Sequence, residues 1–252
     1  MATRDVLWTI ASATLTFGCG GDDPGDKVVG ETAVVLDLVE TGTRGRETPI
    51  GNLAADSVLE LTASHGATIA MVNGGSLRCP AEFDAVQCQG YAIQPGPITQ
   101  ADLDIVLTFK TQLVVKDISG ATLRSTLERS VATIPSELKG WFLHVSGLAY
   151  EADCSNPAQQ IDAEGTTLIS EGSRVTSITV GGAPLDDAAT YRVGLNAFVA
   201  AGNDGHVLLG QAAVAESLSE NEQDAAIAYL GAHSPVSPTV EGRIQLTADC
   251  LP

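Results

Sequence analysis

Basic residues are scarce in this sequence. Only 13 of its 252 residues are Lys or Arg, against 31 Asp and Glu, and the formal net charge is −18 at pH 7. A general nucleic-acid binder needs a basic surface, so that class of protein is excluded. An anionic small molecule can bind only where a few arginines are gathered against the overall field. The positions of the arginines are therefore informative.

Aromatic residues are also few, at 4% of the chain, whereas hydrophobic residues make up 44% and charged residues 17%. This composition is typical of a globular protein, and the length is sufficient for one large domain or two small ones. Because aromatics are rare, each Phe or Tyr that lies outside the core is a candidate for ligand binding.

Several catalytic patterns are missing. The sequence has no G-x-S-x-G motif for a serine nucleophile and no C-x-x-C spacing for a zinc site. Its histidines are isolated from one another and show no ligand spacing; they are His65, His144, His206 and His233. We therefore predict no catalytic residue and no metal site in this chain.

The N-terminus resembles a bacterial lipoprotein signal. Arg4 precedes an apolar stretch, residues 6–17, that is too short to span a bilayer and ends close to Cys19. This pattern predicts export and lipidation of Cys19. Plain secretion with an incidental cysteine is the alternative, because Leu15 lies four residues before Cys19 where three is usual, and Asp5 weakens the basic start.

The predicted organisation is a signal peptide over residues 1–19, a flexible acidic linker over 20–30 and one folded domain over 31–252. We expect the protein to be anchored in the bacterial cell envelope, in the periplasm or at the cell surface. Contact with the membrane is expected through the lipid anchor only.

Four cysteines remain when Cys19 is set aside, and an even number suits an oxidising compartment. Three pairings are open. Cys79–Cys88 would close a small loop, and Cys154–Cys250 would tie the end of the chain to an earlier strand edge. A zinc site is the competing interpretation, but the spacing does not support it. We predict disulfides.

The clearest helix signal lies in residues 44–66. Thr48 can cap a helix, Pro49 fits its first turn, and Gly66 can end it. The apolar run 67–72 is then a buried strand that delivers the NGGSLR loop at its C-terminal end, where α/β arrangements commonly bind ligands.

The remaining pattern interleaves strands and helices without strict alternation. Helices are expected to begin after Thr99, after Ser119 and at a capping box over 219–222, and strands are expected over 32–39, 112–118, 142–153, 174–180, 191–199 and 241–246. The predicted fold class is α+β, with mixed β-sheets and helices packed on their outer faces.

Six separated segments carry a resemblance to a known family. They are RGRETPIGNLAADSVL, MVNGGSLR, GPITQADLDIVLTFKTQLVVKDISGATL, FLHVSGLAYEAD, GSRVTSITVGGAPLDDAATYRVGLNAFVAAGNDGH and PVSPTVEGRI. In order and spacing they are similar to the C-terminal domain of 5′-nucleotidases, over roughly residues 30–247. That domain binds the nucleoside part of the substrate in the family, so the resemblance implies a nucleoside or nucleotide ligand.

The resemblance also implies a set of site residues. Two phenylalanines hold the base, an acid holds the ribose hydroxyls, and arginines and an asparagine approach from strand-end loops. The matching positions here are Arg44, Asn73, Arg78, Phe109, Phe198 and Asp204. Stacking on aromatics, a carboxylate for ribose and a forked cation for phosphate suit such a ligand. Without the resemblance, such phenylalanines more often belong to the core, such arginines more often form surface ion pairs, and N-G-G alone indicates only a turn.

Some residues depart from the family pattern. Lys110-Thr111 stands where Gly-Asn usually follows the first phenylalanine, and G-N-D-G at 202–205 replaces G-G-D-G. Asn203 is compatible with that turn if its φ is positive. His206 replaces a usual aromatic, and the CPAEFDAVQC loop could reshape the entrance. Base specificity is therefore left open.

In the full-length family, the chemistry belongs to an N-terminal metallophosphatase domain with two divalent metal ions. Its G-N-H-[ED] signature is missing here, and only the signal and linker are expected before residue 31. We therefore expect no cofactor in this chain. Two hypotheses follow: a nucleotide-binding module, or the substrate-binding half of a split enzyme whose partner is a separate metallophosphatase chain. A scaffold that has lost its ligand is the third.

Overall fold

The computed structural model describes residues 27–251. The predicted signal peptide 1–19, with its lipidation site Cys19, and the first part of the predicted linker lie outside the described residues. Residues 28–30, which the sequence analysis assigned to the linker, are already part of the first strand. No helix in the described part of the chain is both long and apolar enough to cross a membrane.

The strands occur along the whole described chain. They are β1 (Val28–Thr32), β2 (Leu36–Asp37), β3 (Ile69–Asn73), β4 (Ala92–Ile93), β5 (Gly96–Thr99), β6 (Gln112–Ser119), β7 (Leu143–Ser146), β8 (Leu148–Ala152), β9 (Gln160–Ile161), β10 (Leu168–Ser170), β11 (Val175–Val180), β12 (Ala183–Pro184), β13 (Thr190–Asn196), β14 (Val214–Asn221) and β15 (Ile244–Leu246).

The helices lie between these strands. They are α1 (Glu40–Thr43), α2 (Pro49–Ala63), α3 (Ala85–Cys88), α4 (Gln100–Val106), α5 (Gly120–Ser130), α6 (Ala197–Ala200), α7 (Val207–Gln211) and α8 (Glu222–His233), with 3-10 turns at Gly74–Ser76, Asn203–Gly205 and Ala248–Cys250.

Two larger sheets organise the fold. A five-stranded sheet has the order β14-β6-β13-β3-β7, and a four-stranded sheet has the order β12-β11-β8-β15. Each sheet contains one parallel pair, β13 with β3 and β15 with β8, among antiparallel neighbours. Both sheets are therefore mixed, and the predicted α+β class is confirmed.

The five-stranded sheet is buried on both faces. In β3, Ala70 and Val72 belong to a core that includes residues of α2 and α8, whereas Ile69 and Met71 belong to a second core with residues of α5 and the four-stranded sheet. Successive side chains of a strand point to opposite faces, so a continuous apolar run is what such a strand requires.

The predicted helix starts are confirmed for three helices. Thr48 Oγ1 accepts from the Gly51 amide at 3.1 Å at the start of α2, and Ser119 caps α5. Thr99 and Asp102 form a capping box at α4. The fourth start was assigned two residues too early: α8 is capped by Asn221, with Asp224 completing the box.

Two predicted strands are interrupted in the structure. The strand expected over 32–39 breaks after Thr32, whose hydroxyl bonds the amide and carbonyl of Val34 and turns the chain. The strand expected over 142–153 is two strands that meet at Gly147, which has a φ of 78°. A Cβ there would overlap the Thr68 carbonyl, so a glycine is needed where the chain passes from one sheet to the other.

The predicted disulfides are present, in one of the three pairings that the sequence left open. Cys79 pairs with Cys88 across nine residues, and Cys154 pairs with Cys250 across 96 residues. The first closes the loop that follows NGGSLR. The second fastens the C-terminal end of the described chain beside β8, because Cys250 lies in the short turn after β15.

Candidate functional site

All six residues that the resemblance placed in a site line one cavity of about 440 Å³, which we call the slot. They come from separate parts of the fold: the end of α1, the end of β3 and its loop, the turn after α4, the helix α6, and the turn before α7. The slot is lined by Arg44, Asn73, Gly75, Ser76, Arg78, Phe109, Thr111, Gly140, Phe198 and Asp204.

The N-G-G segment is held in place by its backbone. The amide of Gly74 donates to the Phe142 carbonyl at 2.7 Å, and the amide of Gly75 donates to the Gly140 carbonyl at 2.9 Å. A Cβ on Gly74 would overlap the Thr43 carbonyl, so this close approach requires glycine. The loop is thereby fixed to α1 and to the segment before β7, with Asn73 at one end.

The two phenylalanines are not core residues. Phe109 is 60% exposed and Phe198 is 44% exposed, and both line the slot. Exposed aromatic rings at the same cavity leave a large apolar area available for a ligand to bury. The interpretation of these side chains as core is therefore wrong.

Arg78 is the cation of the slot that is available to a ligand. Its Cζ lies 5.8 Å from the centroid of the Phe109 ring, and no ion pair involves it within residues 27–251. Its backbone amide is fixed on the Val106 carbonyl at 3.0 Å. A guanidinium with free donors can bind a phosphate by two parallel hydrogen bonds.

Arg44 is less free. Its Nη2 lies 2.5 Å from Oε1 of Glu40, and its buried Nε has no hydrogen-bond partner in the described region. Burial lowers the pKa of Arg44, an effect that Glu40 opposes and Arg78 reinforces. A ligand oxygen near Nε would satisfy that donor, whereas the charge is already shared with Glu40.

Asp204 is the non-glycine residue with a positive φ in its turn. Its φ is 59°, between Gly202 and Gly205 at 85° and 81°. Asn203 does not have a positive φ, so the turn does not require that conformation of it. Its side chain donates to the Phe198 carbonyl at 2.9 Å. Burial raises the pKa of the Asp204 carboxyl, and Arg129 and Arg44 oppose that rise.

A buried polar network behind the slot was missed by sequence reasoning. Oδ1 of Asn73 accepts from Ser76 Oγ at 2.8 Å and from Asn196 Nδ2 at 2.9 Å. The same Asn196 nitrogen lies 2.8 Å from Oε1 of Glu222, and Ser76 Oγ lies 3.3 Å from its Oε2. Burial is the main cause that raises the pKa of Glu222 to about 7.

The signals for this network were weak. Asn196 ends β13 and caps α6. In the sequence it was only one residue of the strand predicted over 191–199. Glu222 was assigned to a capping box, but the box uses its neighbours and leaves Glu222 buried at the first position of α8. Its burial, which would have pointed to the network, is seen only in the structure.

The departures from the family pattern have distinct outcomes. Lys110 has a φ of 47° and pairs with Asp104 at 2.9 Å, while Thr111 lines the slot. His206 is buried, and burial, reinforced by Arg129, lowers its pKa to about 3. The disulfide loop borders a neighbouring cavity of about 540 Å³ that shares Arg78 and Phe109 with the slot.

The residues that the structure describes do not fit a pair of metal ions. Within residues 27–251, no group of three His, Cys, Asp or Glu side chains could hold a metal. The run Asp204-Gly205-His206 has D-x-H spacing, but Asp204 lines the slot whereas His206 is buried in the interior. The other histidines are dispersed: His65 pairs with Glu216, His233 with Glu60, and His144 with the Thr43 carbonyl.

Comparison with known proteins agrees with this geometry. Residues 28–211 match the family model described as 5′-nucleotidase, C-terminal domain. The trifunctional nucleotide phosphoesterase protein YfkN of Bacillus subtilis is 31% identical over 228 residues, which cover 89% of this chain and 14% of that protein. The snake venom 5′-nucleotidase of Naja atra is 29% identical, over 88% of this chain and 41% of that protein.

A solved structure shows the same fold. The 5′-nucleotidase precursor from Thermus thermophilus superposes with a TM-score of 0.75 and 34% identity, over 88% of this chain and 40% of that chain. This chain therefore spans less than half the length of these relatives. Since the family model covers most of the sequence, the chain belongs to the 5′-nucleotidase C-terminal domain family.

Proposed function

We propose that this domain binds a nucleoside or nucleotide in the slot. The observation that carries the proposal is the convergence of two exposed phenylalanines, two arginines, an asparagine and an aspartate on one cavity of about 440 Å³. A cavity of this size is within the range of small-molecule sites.

The roles follow from the chemistry of each group. Phe109 and Phe198 offer aromatic faces to a base, and stacking of this kind contributes about 1–3 kcal/mol per base in nucleic-acid binders. Asp204 can accept from ribose hydroxyls. Arg78 has free guanidinium donors for a phosphate, and Asn73 contributes an amide donor between them.

Binding of adenosine and AMP to the wild type tests the proposal by calorimetry. Phe198→Ala should weaken both ligands, by roughly 5- to 150-fold if the stacking energy is lost. Arg78→Ala should weaken AMP more than adenosine, because only AMP has the phosphate. Ile169→Ala and Arg124→Ala are matched controls, since both residues lie outside the slot. If the wild type binds neither ligand at millimolar concentration, the domain is a scaffold and the proposal is wrong.

A second candidate is that this domain is the substrate-binding half of a 5′-nucleotidase whose metal-bearing part is a separate metallophosphatase chain. It is supported by the partial coverage of longer phosphoesterase relatives and by the lack of a fitting metal-ligand group in residues 27–251. The test is phosphate release from AMP with divalent metal. The candidate predicts release only when the partner is added, and turnover by the pure chain would contradict it.

We also propose that the protein is exported and anchored in a bacterial cell envelope through lipid on Cys19. The apolar segment 6–17 that ends near Cys19 supports this, and so do two disulfides, which need an oxidising compartment. Mass spectrometry of the mature N-terminus tests it: a diacylated cysteine is expected. A Cys19→Ser variant that stays in the detergent phase on phase partitioning would contradict lipid anchoring.

A further inference from the structure

A second cavity shares Asp204 with the slot. Its volume is about 700 Å³, and it is lined by Arg129 and Trp141, by the loop of residues 162–166 and by the turn that contains Asp204. Asp204 is the residue that lines both this cavity and the slot. We call it the Arg129 cavity.

Arg129 is a buried cation with unused donors. The residue is 7% exposed, and its Nε donates to the Asp204 carbonyl at 2.7 Å. Among residues 27–251, its two Nη atoms have no hydrogen bond and no carboxylate within ion-pair distance. The Asp204 carboxylate and the Trp141 ring offset part of the cost of burying this charge, whereas the Nη donors are left for a ligand in the cavity.

The guanidinium is held rigidly. Its Cζ lies 3.8 Å from the centroid of the Trp141 ring, which is a close cation–π contact. Gly205 packs against the guanidinium, since a Cβ added to Gly205 would lie 2.9 Å from Nε of Arg129. With Nε on the Asp204 carbonyl, the side chain is preorganised with its Nη atoms uncommitted, which reduces the entropy lost on ligand binding.

We propose that the Arg129 cavity is a second ligand site, which binds a small oxyanion (a carboxylate or a phosphate group) through the Nη atoms of Arg129. Planar forks of this kind match carboxylate and phosphate oxygens by bidentate hydrogen bonds. The site stands on Arg129 and its neighbours and does not depend on nucleoside binding in the slot.

The acidic neighbours limit the charge of the ligand. Asp162 is committed to its own loop, because its carboxylate accepts from the amides of Thr166 and Thr167 at 2.6 and 3.0 Å. Glu164 is exposed, where water and salt screen its charge. Asp204 shares the cavity wall. We therefore expect a singly charged anion to bind better than a multiply charged one.

Tryptophan fluorescence can report on this site directly. The chain contains two tryptophans, Trp8 and Trp141, so Trp8→Phe in the full chain leaves Trp141 as the sole emitter. Titration with acetate or with inorganic phosphate should give a saturable change in Trp141 emission. Sodium chloride at matched ionic strength should not reproduce it.

Variants assign the response to Arg129. Arg129→Gln should weaken the apparent affinity at least tenfold, and Arg129→Lys should weaken it less, whereas Arg124→Gln, at a residue outside both cavities, should leave it unchanged. Because Arg129 also holds the Asp204 carbonyl, Arg129→Gln can destabilise the fold. The exposed Ala163 in the cavity wall therefore provides a second pair: Ala163→Lys should bind the anion at least threefold more tightly than Ala163→Glu. If Arg129→Gln binds the anion as tightly as the wild type does and the two Ala163 variants bind it equally, the proposal is overturned. An equal response to chloride would also overturn it.

Two sources of the oxyanion are distinguished by AMP. If AMP changes Trp141 emission at lower concentration than phosphate does, and Phe198→Ala removes that advantage, the oxyanion is carried by the ligand of the slot. If phosphate acts equally in the wild type and in Phe198→Ala, the oxyanion is a free ion. Both results support the site, and loss of the phosphate response in Arg78→Gln instead of Arg129→Gln contradicts it.

Discussion

The side-chain amide of Asn196 donates to Oδ1 of Asn73 at 2.9 Å, behind the slot. With Ser76 Oγ on the same oxygen, both lone pairs of that oxygen are used. Asn73 therefore offers its Nδ2 donor, and not its carbonyl, to a ligand. Asn196, which does not line the slot, therefore determines that the side-chain amide of Asn73 acts as a donor there.

Asn196→Asp tests this relationship. The aspartate keeps the oxygen that caps α6 through the Val199 amide but loses the donor that faces Asn73 and Glu222. We expect a loss of about 1–3 kcal/mol in the free energy of unfolding, because buried acceptors lose their partner. Adenosine binding should also weaken. Urea denaturation measures the first effect. The control is Asn156→Asp, because within residues 27–251 only the backbone of Asn156 makes hydrogen bonds, and its change should be within about 0.5 kcal/mol.

Glu222 predicts a pH dependence of stability. Its pKa is raised to about 7, so between its unfolded value near 4.5 and pH 7 the folded state holds a proton that the unfolded state has lost. Stability from this group is therefore full below about pH 4.5 and falls as pH rises towards 7, by at most about 1.4 kcal/mol per pH unit.

Glu222→Gln should remove that slope, since the amide can accept from Asn196 and donate to Ser76 without titrating. The buried His144, with a pKa of about 4, and His206 act in the opposite direction, because the unfolded state gains their protons as pH falls. The measurement is therefore the difference between wild type and variant in urea unfolding at pH 5 and at pH 7.5. Parallel pH profiles for the two proteins would show that Glu222 does not titrate in this range.

Gly51 and Gly231 both lie inside helices and should respond oppositely to alanine. A Cβ on Gly51 would overlap the ring of His144, whereas a Cβ on Gly231 has nothing within 4 Å. Gly231→Ala should stabilise by about 0.5–1 kcal/mol through helix propensity. Gly51→Ala should destabilise, since overpacking typically costs about 1–3 kcal/mol. Thermal unfolding of both variants checks the signs, and a stabilising Gly51→Ala would show that His144 can move aside.

The two disulfides should contribute differently to stability and to binding. Loop-closure entropy gives about 2.5 kcal/mol for the nine-residue separation and about 4.7 kcal/mol for the 96-residue separation. Replacing Cys154 and Cys250 by serine should therefore lower stability more than replacing Cys79 and Cys88. The variant that lacks Cys79 and Cys88 should have the larger effect on AMP affinity, because Arg78 directly precedes Cys79. Calorimetry and urea denaturation on both variants separate the effects, and the reverse order for AMP would contradict this reasoning.

The elements that could be predicted are those with local causes. The helix α2 follows from a threonine cap, a proline and apolar spacing, and the strand β3 follows from an unbroken apolar run. The break at Gly147 could not be predicted, because what excludes a side chain there is the Thr68 carbonyl of a distant segment. Similarly, α6 interrupts the expected strand because Asn196 can turn its side chain onto the Val199 amide.

The same distinction applies to the candidate site. The six residues that the resemblance named could be placed because motifs carry them, and the structure brings them to one cavity. Arg129, Trp141 and Glu222 lie outside the quoted segments, and Asn196 lies in one of them without a role that the resemblance assigns. Their meaning comes from contacts across the fold, such as the carbonyl of Asp204 on Nε of Arg129, 75 residues away in sequence.

The slot is assembled from segments that run from Arg44 to Asp204, so its walls meet only when both ends of a long stretch of chain are in place. Strand β13, which leads into α6, lies between β6 and β3 in the central sheet. A chain in which this sheet has not formed has no slot, and local fragments cannot substitute for it. Any ligand of the slot must therefore act on the cooperative unfolding of the domain as a whole, and its occupancy can be measured as resistance to global unfolding.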